Sequence, residues 1–543
     1  MWAQNPSWAK KSAAAVFTLK TFGADGSLLA SANGFFIDEQ GTAVSSFSPF
    51  KNAQRAVIID AQGKEMPVDC LSGYNDMYDV AKFQVKPDKK MTALTVAQTE
   101  AANGTALWLM PYSVKKAPTC ISGTVSSAEQ FGEGYTYYTL AMDASDQYVG
   151  CPILNQQGEV VGILQPSADS KTSVAYAVST RYASSLRMAA LSFNDPVLRT
   201  VLLPKALPDE QNEATLALFM GGSTMSPEAY SQLVDRYIQK FPQSNDGYVY
   251  RARLKVAKDD FQGADEDMRM AVSEGSVKDD AHYQYAQLIY QKNIYQSDKP
   301  YEPWTLDMAL QESKAAASIN PQPVYTQQQA NILYAMQQYD AAYDLYMQLT
   351  QNEMMRAESF YAAAQCKTQK NDKQAALALL DSAVNTFSKP YVKTAAPYLF
   401  ARAQALFEAK QYRPSVADYN EYGSLMSAQL NAQFYFLREQ AEFAGHLYQQ
   451  ALDDIRRAVE MEPNDLVYRA EKANLELRVG MTDDAIATAK ECISIHPEAS
   501  DGYLLLGLAQ CVKGQKPEGL QQLQKAKELG NGQAQSLIDK YAK

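Results

Sequence analysis

The sequence predicts a chain of two unlike parts, a barrel or sandwich of short strands up to about residue 180 and an all-α repeat array beyond about residue 211. Three observations predict it. The first part carries short apolar runs rich in Val, Ile, Thr, Phe and Tyr, bounded by Gly, Asp, Asn and Ser, with no helical stretch between them. The second carries alanine-rich segments with apolar residues at i, i+3 and i+4, separated by short turns. Equivalent positions in that second part recur 34 residues apart, as Pro463 and Pro497 do.

The expected strands lie within 14–22, 28–38, 42–47, 55–61, 80–85, 106–112, 119–127, 135–142, 159–166 and 173–179. Residues 180–191 have helical apolar spacing and close this part. Three prolines in "LLPKALPDEQ" and its approach mark 192–211 as a linker. The expected domains are therefore 1–191 and 212–543.

In the array a small residue recurs where two helices must approach closely, at Ala252, Ala286, Ala330, Ala364, Ala403, Ala473 and Gly507. Gaps of 34 residues recur (252 to 286, 330 to 364, 473 to 507), and the exceptions are longer. This pattern resembles the tetratricopeptide repeat, with Tyr248 and Tyr503 at the first aromatic position of their units, and implies an all-α solenoid of about eight helix pairs. Two departures stand out. About eleven residues around "YQSDKPYEPW" are extra in or near one turn, and Glu439 occupies a position where a small residue is expected.

Composition excludes several function classes. A chain of 543 residues is too long for one core, and 46% hydrophobic with 20% charged residues is ordinary for a folded protein. A net charge of −11 argues against nucleic acid or an anionic membrane as partner, since both require a basic face. No apolar run is long enough for a transmembrane helix. The start, Met1-Trp2-Ala3-Gln4, resembles the end of a cleaved export signal and carries the expectation of a periplasmic or secreted protein, with a cytoplasmic one as the alternative. Six scattered cysteines without a Cys-x-x-Cys pair argue against a zinc or redox site and read as buried thiols; one bridge among Cys70, Cys120 and Cys151 stays open. No metal or cofactor is expected.

The motifs of the first part carry a second resemblance. "NGFFIDEQGTAVSSFSPF" (33–50), "YNDMYDVAKFQV" (74–85), "ISGTVSSAEQ" (121–130), "MDASDQYVGCPILNQQGEVVGI" (142–163) and "SVAYAVS" (173–179) resemble, in order, segments of HtrA-type trypsin-like serine proteases. The resemblance implies a double β-barrel, with the catalytic histidine position on Ser48, the aspartate on Asp79 and the nucleophile on Val149. It also implies that 173–179 is the edge strand which pairs with substrate backbone in active members.

A triad needs a hydroxyl nucleophile and an imidazole that takes and returns its proton. The only histidines are His282, His446 and His496, all in the helical part, so no register shift brings one into the barrels. The expectation is a pseudoprotease, whose loop, about two residues short, also disturbs the backbone N–H pair of an oxyanion site. Two substitute chemistries are conceivable: Cys151 as a thiol nucleophile, or a lysine activating Ser45, Ser46 or Ser48. Asp79 has a simpler reading as a carboxylate accepting backbone N–H bonds in a turn.

The function expected is a non-catalytic interaction or scaffold protein that binds proteins or peptides on the concave face of the array. The alternative is a serine- or cysteine-type peptidase with a nonstandard active site. Candidate groove residues are Tyr250, Arg253, Gln328, Asn331, Tyr361, Gln365 and Asn474, a polar and aromatic set suited to an extended chain. Strand addition near 175–178 is a second possible binding mode. The oligomeric state has no signature in the sequence.

Overall fold

The computed structural model describes residues 6–114, 119–131, 135–167 and 173–542. The signal-like start at 1–4 lies outside the described residues. The chain divides into two compact units, Met1–Tyr285 and Ala286–Lys543.

In the first unit twelve strands are described: β1 (Val16–Phe22), β2 (Leu28–Phe36), β3 (Thr42–Ser45), β4 (Arg55–Ile59), β5 (Glu65–Asn75), β6 (Val80–Val85), β7 (Ala106–Leu109), β8 (Ile121–Phe131), β9 (Tyr135–Ala141), β10 (Pro152–Leu154), β11 (Val160–Gln165) and β12 (Val174–Ser179). They close into two antiparallel six-stranded barrels, in the orders β1-β2-β3-β6-β5-β4 and β10-β11-β12-β9-β8-β7. Closure leaves neither barrel an open edge among the described strands. Two strands have no counterpart among the expected segments. β5 carries Pro67, Asp69 and Gly73 and shifts register between Val68 and Cys70 and again between Leu71 and Gly73, so bulges break its period of two. β10 is three residues long, too short for any period to show.

The residues at 180–191 are helical only over Thr180–Ser185; a 3-10 turn follows at Ala190–Asn194. The proline-rich 192–211 is not a free linker. Leu198, Val201, Leu203 and Leu207 are buried in one core with Phe17, Phe36 and Phe83 of the first barrel and with Leu218, Leu233 and Tyr237 of the following helices Gln211–Thr224 and Pro227–Lys240. Leu71 donates to Pro204 O and accepts from Ala206 N–H, which lays this segment along β5. The prolines break regular structure without preventing burial. A further helix pair, Asn245–Val256 and Phe261–Glu274, follows in this unit, and the division between units falls within the helix Lys278–Tyr295.

In the second unit the helix Leu306–Ile319 precedes six pairs, beginning with Pro323–Ala335 and Tyr339–Leu349 and ending with Ser500–Val512 and Lys516–Glu528, before the closing helix Ala534–Tyr541. The residues around "YQSDKPYEPW" lengthen the helix that ends at Tyr295 and then fold over a buried Trp304, whose carbonyl accepts from Asn293 Nδ2 at 2.9 Å.

Two devices repeat along the helices. First helices end at a left-handed residue: Asp259, Gln337, Asn371, Lys410, His446, Gly480 and Gly514 all have positive φ. The next N–H reaches back five residues in each case, as in Gln338 to Leu333 O, Asp372 to Lys367 O and Met481 to Glu476 O. That bond satisfies a carbonyl the helix end would leave bare and turns the chain into the second helix. His446 therefore has a turn role. The second device is an arginine just before the small-residue position that grips an aspartate 16 residues later on the paired helix. Arg251 binds Asp267, Arg402 binds Asp418 at 2.6 and 2.7 Å, and Arg438 binds Asp454 at 2.6 and 2.7 Å. Each also reaches back, to Asp235, Asp381 and Asn420 respectively. The gripped aspartates are all buried, so the bidentate bonds compensate charges that water no longer solvates.

Glu439 breaks this scheme. It is fully buried, and neither carboxylate oxygen has a hydrogen-bond partner. Burial, then the neighbouring Glu471, Glu442 and Asp454, push its pKa up to about 8. Below the ordinary value of 4.5 both folded and unfolded chains hold the proton. Between there and about 8 the unfolded chain releases it first, so stability falls as pH rises through that window and levels off above it.

Two stability outcomes are expected. Arg402→Met leaves Asp418 buried and unpaired and costs about 3–5 kcal/mol in denaturant unfolding, most of it regained when Asp418→Leu is added. Glu439→Gln matches the unaltered chain at pH 4 and exceeds it by on the order of a few kcal/mol at pH 9, measured by thermal melting at both pH values.

Candidate functional site

β3 ends at Ser45, and after Phe47 the chain makes the short 3-10 turn Ser48–Phe50 with Pro49 inside it. Asp79 lies immediately before β6 with φ of 48°, a left-handed conformation uncommon for a residue with a side chain. Its backbone carbonyl accepts from Phe47 N–H at 3.2 Å. Its Oδ1 accepts both the N–H and the hydroxyl of Ser48, at 2.5 and 2.7 Å. The two positions paired by resemblance are thus paired in space, through a hydroxyl in place of an imidazole. A hydroxyl donating to a carboxylate holds that carboxylate in place but is no base at neutral pH.

The third position lies on the second barrel. Ser145 caps the 3-10 turn Asp146–Tyr148, and Val149 follows. Val149 N–H is turned back to Asp146 O at 3.1 Å, Tyr148 N–H to Ser145 O at 3.0 Å, and Gln147 N–H to Ser145 Oγ at 3.4 Å. The N–H groups of Gln147, Tyr148 and Val149 are directed into their own loop, that of Gly150 donates to Leu164 O of β11 at 2.9 Å, and an oxyanion site requires donors directed outward at a reacting carbonyl.

Asn33 of β2 fixes this loop against the first barrel. Its Nδ2 donates to Gln147 O at 2.8 Å and Val149 O at 3.1 Å, and its N–H donates to Val149 O at 3.3 Å. Ser45 Oγ donates to Asn33 O at 2.6 Å and so spends its hydroxyl on the clamp. Gly150, at φ of 84°, passes so close that a Cβ there would sit 2.1 Å from Asn33 O. The sequence reading missed Asn33, which stands first in the quoted 33–50 segment; nothing in a lone asparagine marks a partner more than a hundred residues away.

Neither substitute chemistry finds support in the geometry. Cys151 is fully buried, and burial pushes its thiol up to about 12, so it stays protonated at neutral pH. Neither Cys70 nor Cys151 is bonded to another sulfur, so no bridge joins these two or either of them to half-buried Cys120. Ser46 is buried, and the nearby lysines bond elsewhere: Lys51 to Asp76 at 2.5 Å and Lys82 to Ser184 O at 2.8 Å. No group of three His, Cys, Asp or Glu among the described residues is placed to hold a metal ion, and no described helix is long and apolar enough to cross a membrane.

The expected edge strand is corrected. Tyr176, Ala177 and Val178 of β12 pair with β11 on one side and β9 on the other, because the barrel is closed. Residues 176–178 therefore have no free backbone edge for a peptide. Val174 and Ala175 pair with β9 alone among the described residues.

The groove candidates fall in both units. In the first, Arg253 is exposed, stacks at 5.9 Å over the half-buried Tyr250 and donates to Gln284 at 2.9 Å. In the second, Gln328 and Asn331 share one helix: Gln328 is buried and donates to Gln287, while Asn331 accepts from Tyr346 at 2.7 Å. Tyr361 and Gln365 share the helix Arg356–Gln369, with Tyr361 edge-on to Tyr398 at 5.8 Å. Asn474 bonds Glu471 and Arg478 on its own helix. Gln328 serves helix packing; the others are at least partly accessible.

The close approach at Gly150 generates an expected outcome. Gly150→Ala combines a left-handed strain with a collision against backbone, and lowers the stability of the first unit by on the order of 3 kcal/mol in denaturant unfolding.

Comparison with known proteins follows this geometry. A search of curated proteins found no match to the chain. A sequence model of the family described as trypsin-like peptidase domain matches residues 32–163, from within β2 to within β11. This part of the chain is therefore similar to trypsin-like peptidase domains in sequence and carries two six-stranded barrels, followed by a helical region.

Proposed function

We propose that the protein is a non-catalytic interaction protein, in which an HtrA-like barrel pair without peptidase activity accompanies a tetratricopeptide-like array that binds protein or peptide segments. The observation that carries the first half is the loop at Val149. The side chain at the nucleophile position has no hydroxyl, the N–H groups of Gln147, Tyr148 and Val149 are bonded within the loop, and that of Gly150 is bonded to β11. Ser48 in the place of an imidazole and the burial of Cys151 support the same reading. The second half rests on the 34-residue recurrence of the left-handed turns, from Gln337 to Asn371 and from His446 through Gly480 to Gly514. Stacked helix pairs of that period present first-helix side chains along a continuous surface, where Tyr361, Gln365 and Asn474 supply aromatic and amide contacts.

The test is incubation of the full chain with a diverse mixture of peptides and unfolded proteins, read by mass spectrometry for new termini and for retained segments. The expected result is retained peptides and no new termini, including in a Val149→Ser, Ser48→His double variant, whose loop N–H groups remain turned inward. Cleavage by the unaltered chain that disappears in Cys151→Ala or Ser46→Ala would sink the proposal. Retention undiminished by alanine at Tyr361 and Gln365 would remove the array as the binding surface.

A further inference from the structure

One cavity with an apolar wall in the first unit lies away from the Ser48, Asp79 and Val149 positions, between residues 193–205 and the start of the helix Pro227–Lys240. We propose that it is a binding site for a small aliphatic monocarboxylate, held by Lys205. The cavity has a volume of about 530 Å³, within the range of small-molecule sites. Phe193, Leu198 and Val201, all buried, and the half-buried Met225 give it an apolar wall.

Lys205 is the polar feature of that wall. Its side chain is 8% exposed, and its Nζ donates to the carbonyls of Val201 and Leu203 at 2.5 and 3.5 Å. No carboxylate among the described residues pairs with it. Three cations of the helices behave differently: Arg251, Arg402 and Arg438 each grip an aspartate. A buried ammonium without a counter-charge is costly; consistently, burial draws the Lys205 pKa down to about 8. The backbone of this position is fixed: Pro204 O and Ala206 N–H are bonded to Leu71 of β5 on either side of it, at 2.9 and 2.8 Å.

The other charged groups around the cavity favour an anion. Arg199 lies exposed among the lining residues, with its guanidinium bonded to Asn194 O and to no carboxylate among the described residues, and Glu228 is the one carboxylate in the described lining. Arg236, at the adjoining base, is held by both oxygens of Asp69. An aliphatic tail against Phe193, Leu198 and Val201 with its carboxylate on Lys205 supplies the missing counter-charge and fills the apolar space. This assignment is independent of the peptidase question.

The probe is octanoate, titrated calorimetrically into the full chain at pH 7, with octanol and octylamine in parallel. One site is expected, with octanoate bound at least tenfold more tightly than octanol and octylamine unbound. Lys205→Met is expected to lose at least tenfold in octanoate affinity and to keep its affinity for octanol. A measurement on the unaltered chain guards against misfolding of the variant: octanoate affinity falls at least tenfold between pH 7 and pH 10, as Lys205 loses its charge. The proposal is overturned by the absence of saturable octanoate binding, by equal affinity for octanol, or by affinity that ignores both pH and the Lys205 substitution. Binding of a peptide with an apolar C-terminal residue in place of octanoate also overturns it, and transfers the cavity to chain termini.

Discussion

Asn33 ties the loop that carries position 149 to β2 of the first barrel, beside the strand β3 that leads into position 48, and the arrangement of the candidate site depends on that tie. Three hydrogen bonds from one residue hold Gln147 and Val149 of the second barrel against β2 of the first. The tie requires a glycine at 150, because the approach leaves no room for a Cβ. It also engages the Ser45 hydroxyl. With its carbonyls drawn toward Asn33, the loop closes its N–H groups upon itself in a 3-10 turn. The valine at 149 and the inward bonding of the 3-10 turn before it thus belong to one local structure.

The helical part shows the same economy with other means. A left-handed turn residue closes seven first helices and sets where the second helix begins, and in three of the pairs a bidentate arginine fixes how the second helix lies on the first. Neither depends on a large apolar side chain, which explains how alanine-rich helices can pack closely in register. Glu439 shows what happens where the scheme lapses: a carboxylate takes the place of a small residue, gains no partner, and is tolerated because burial keeps its proton on. Lys205 is the cationic counterpart in the first unit, a buried amine without an opposite charge among the described residues.

The change of apolar period, the strand-rich first part and the 34-residue phase are all legible in the sequence, because each is a repeating local pattern. The pairing of Ser48 with Asp79 is legible too, through motif order, and the spatial contact follows it. Other features escape for physical reasons. β5 is obscured by its bulges and β10 by its brevity, and the prolines of 192–211 signal irregular backbone without revealing that the leucines beside them are buried.

By itself, then, the sequence determined the two-part architecture and the residue types present in the first part: no histidine lies before residue 282, and residue 149 carries no hydroxyl. Both are matters of composition and local periodicity. Tertiary structure alone decided that the barrels close and deny 176–178 a free edge, that Asn33 binds the loop at Val149, and that Lys205 lies buried beside a cavity. These are encounters between segments distant along the chain, and no local pattern records which donors, acceptors and charges will be left facing one another once the cores have formed.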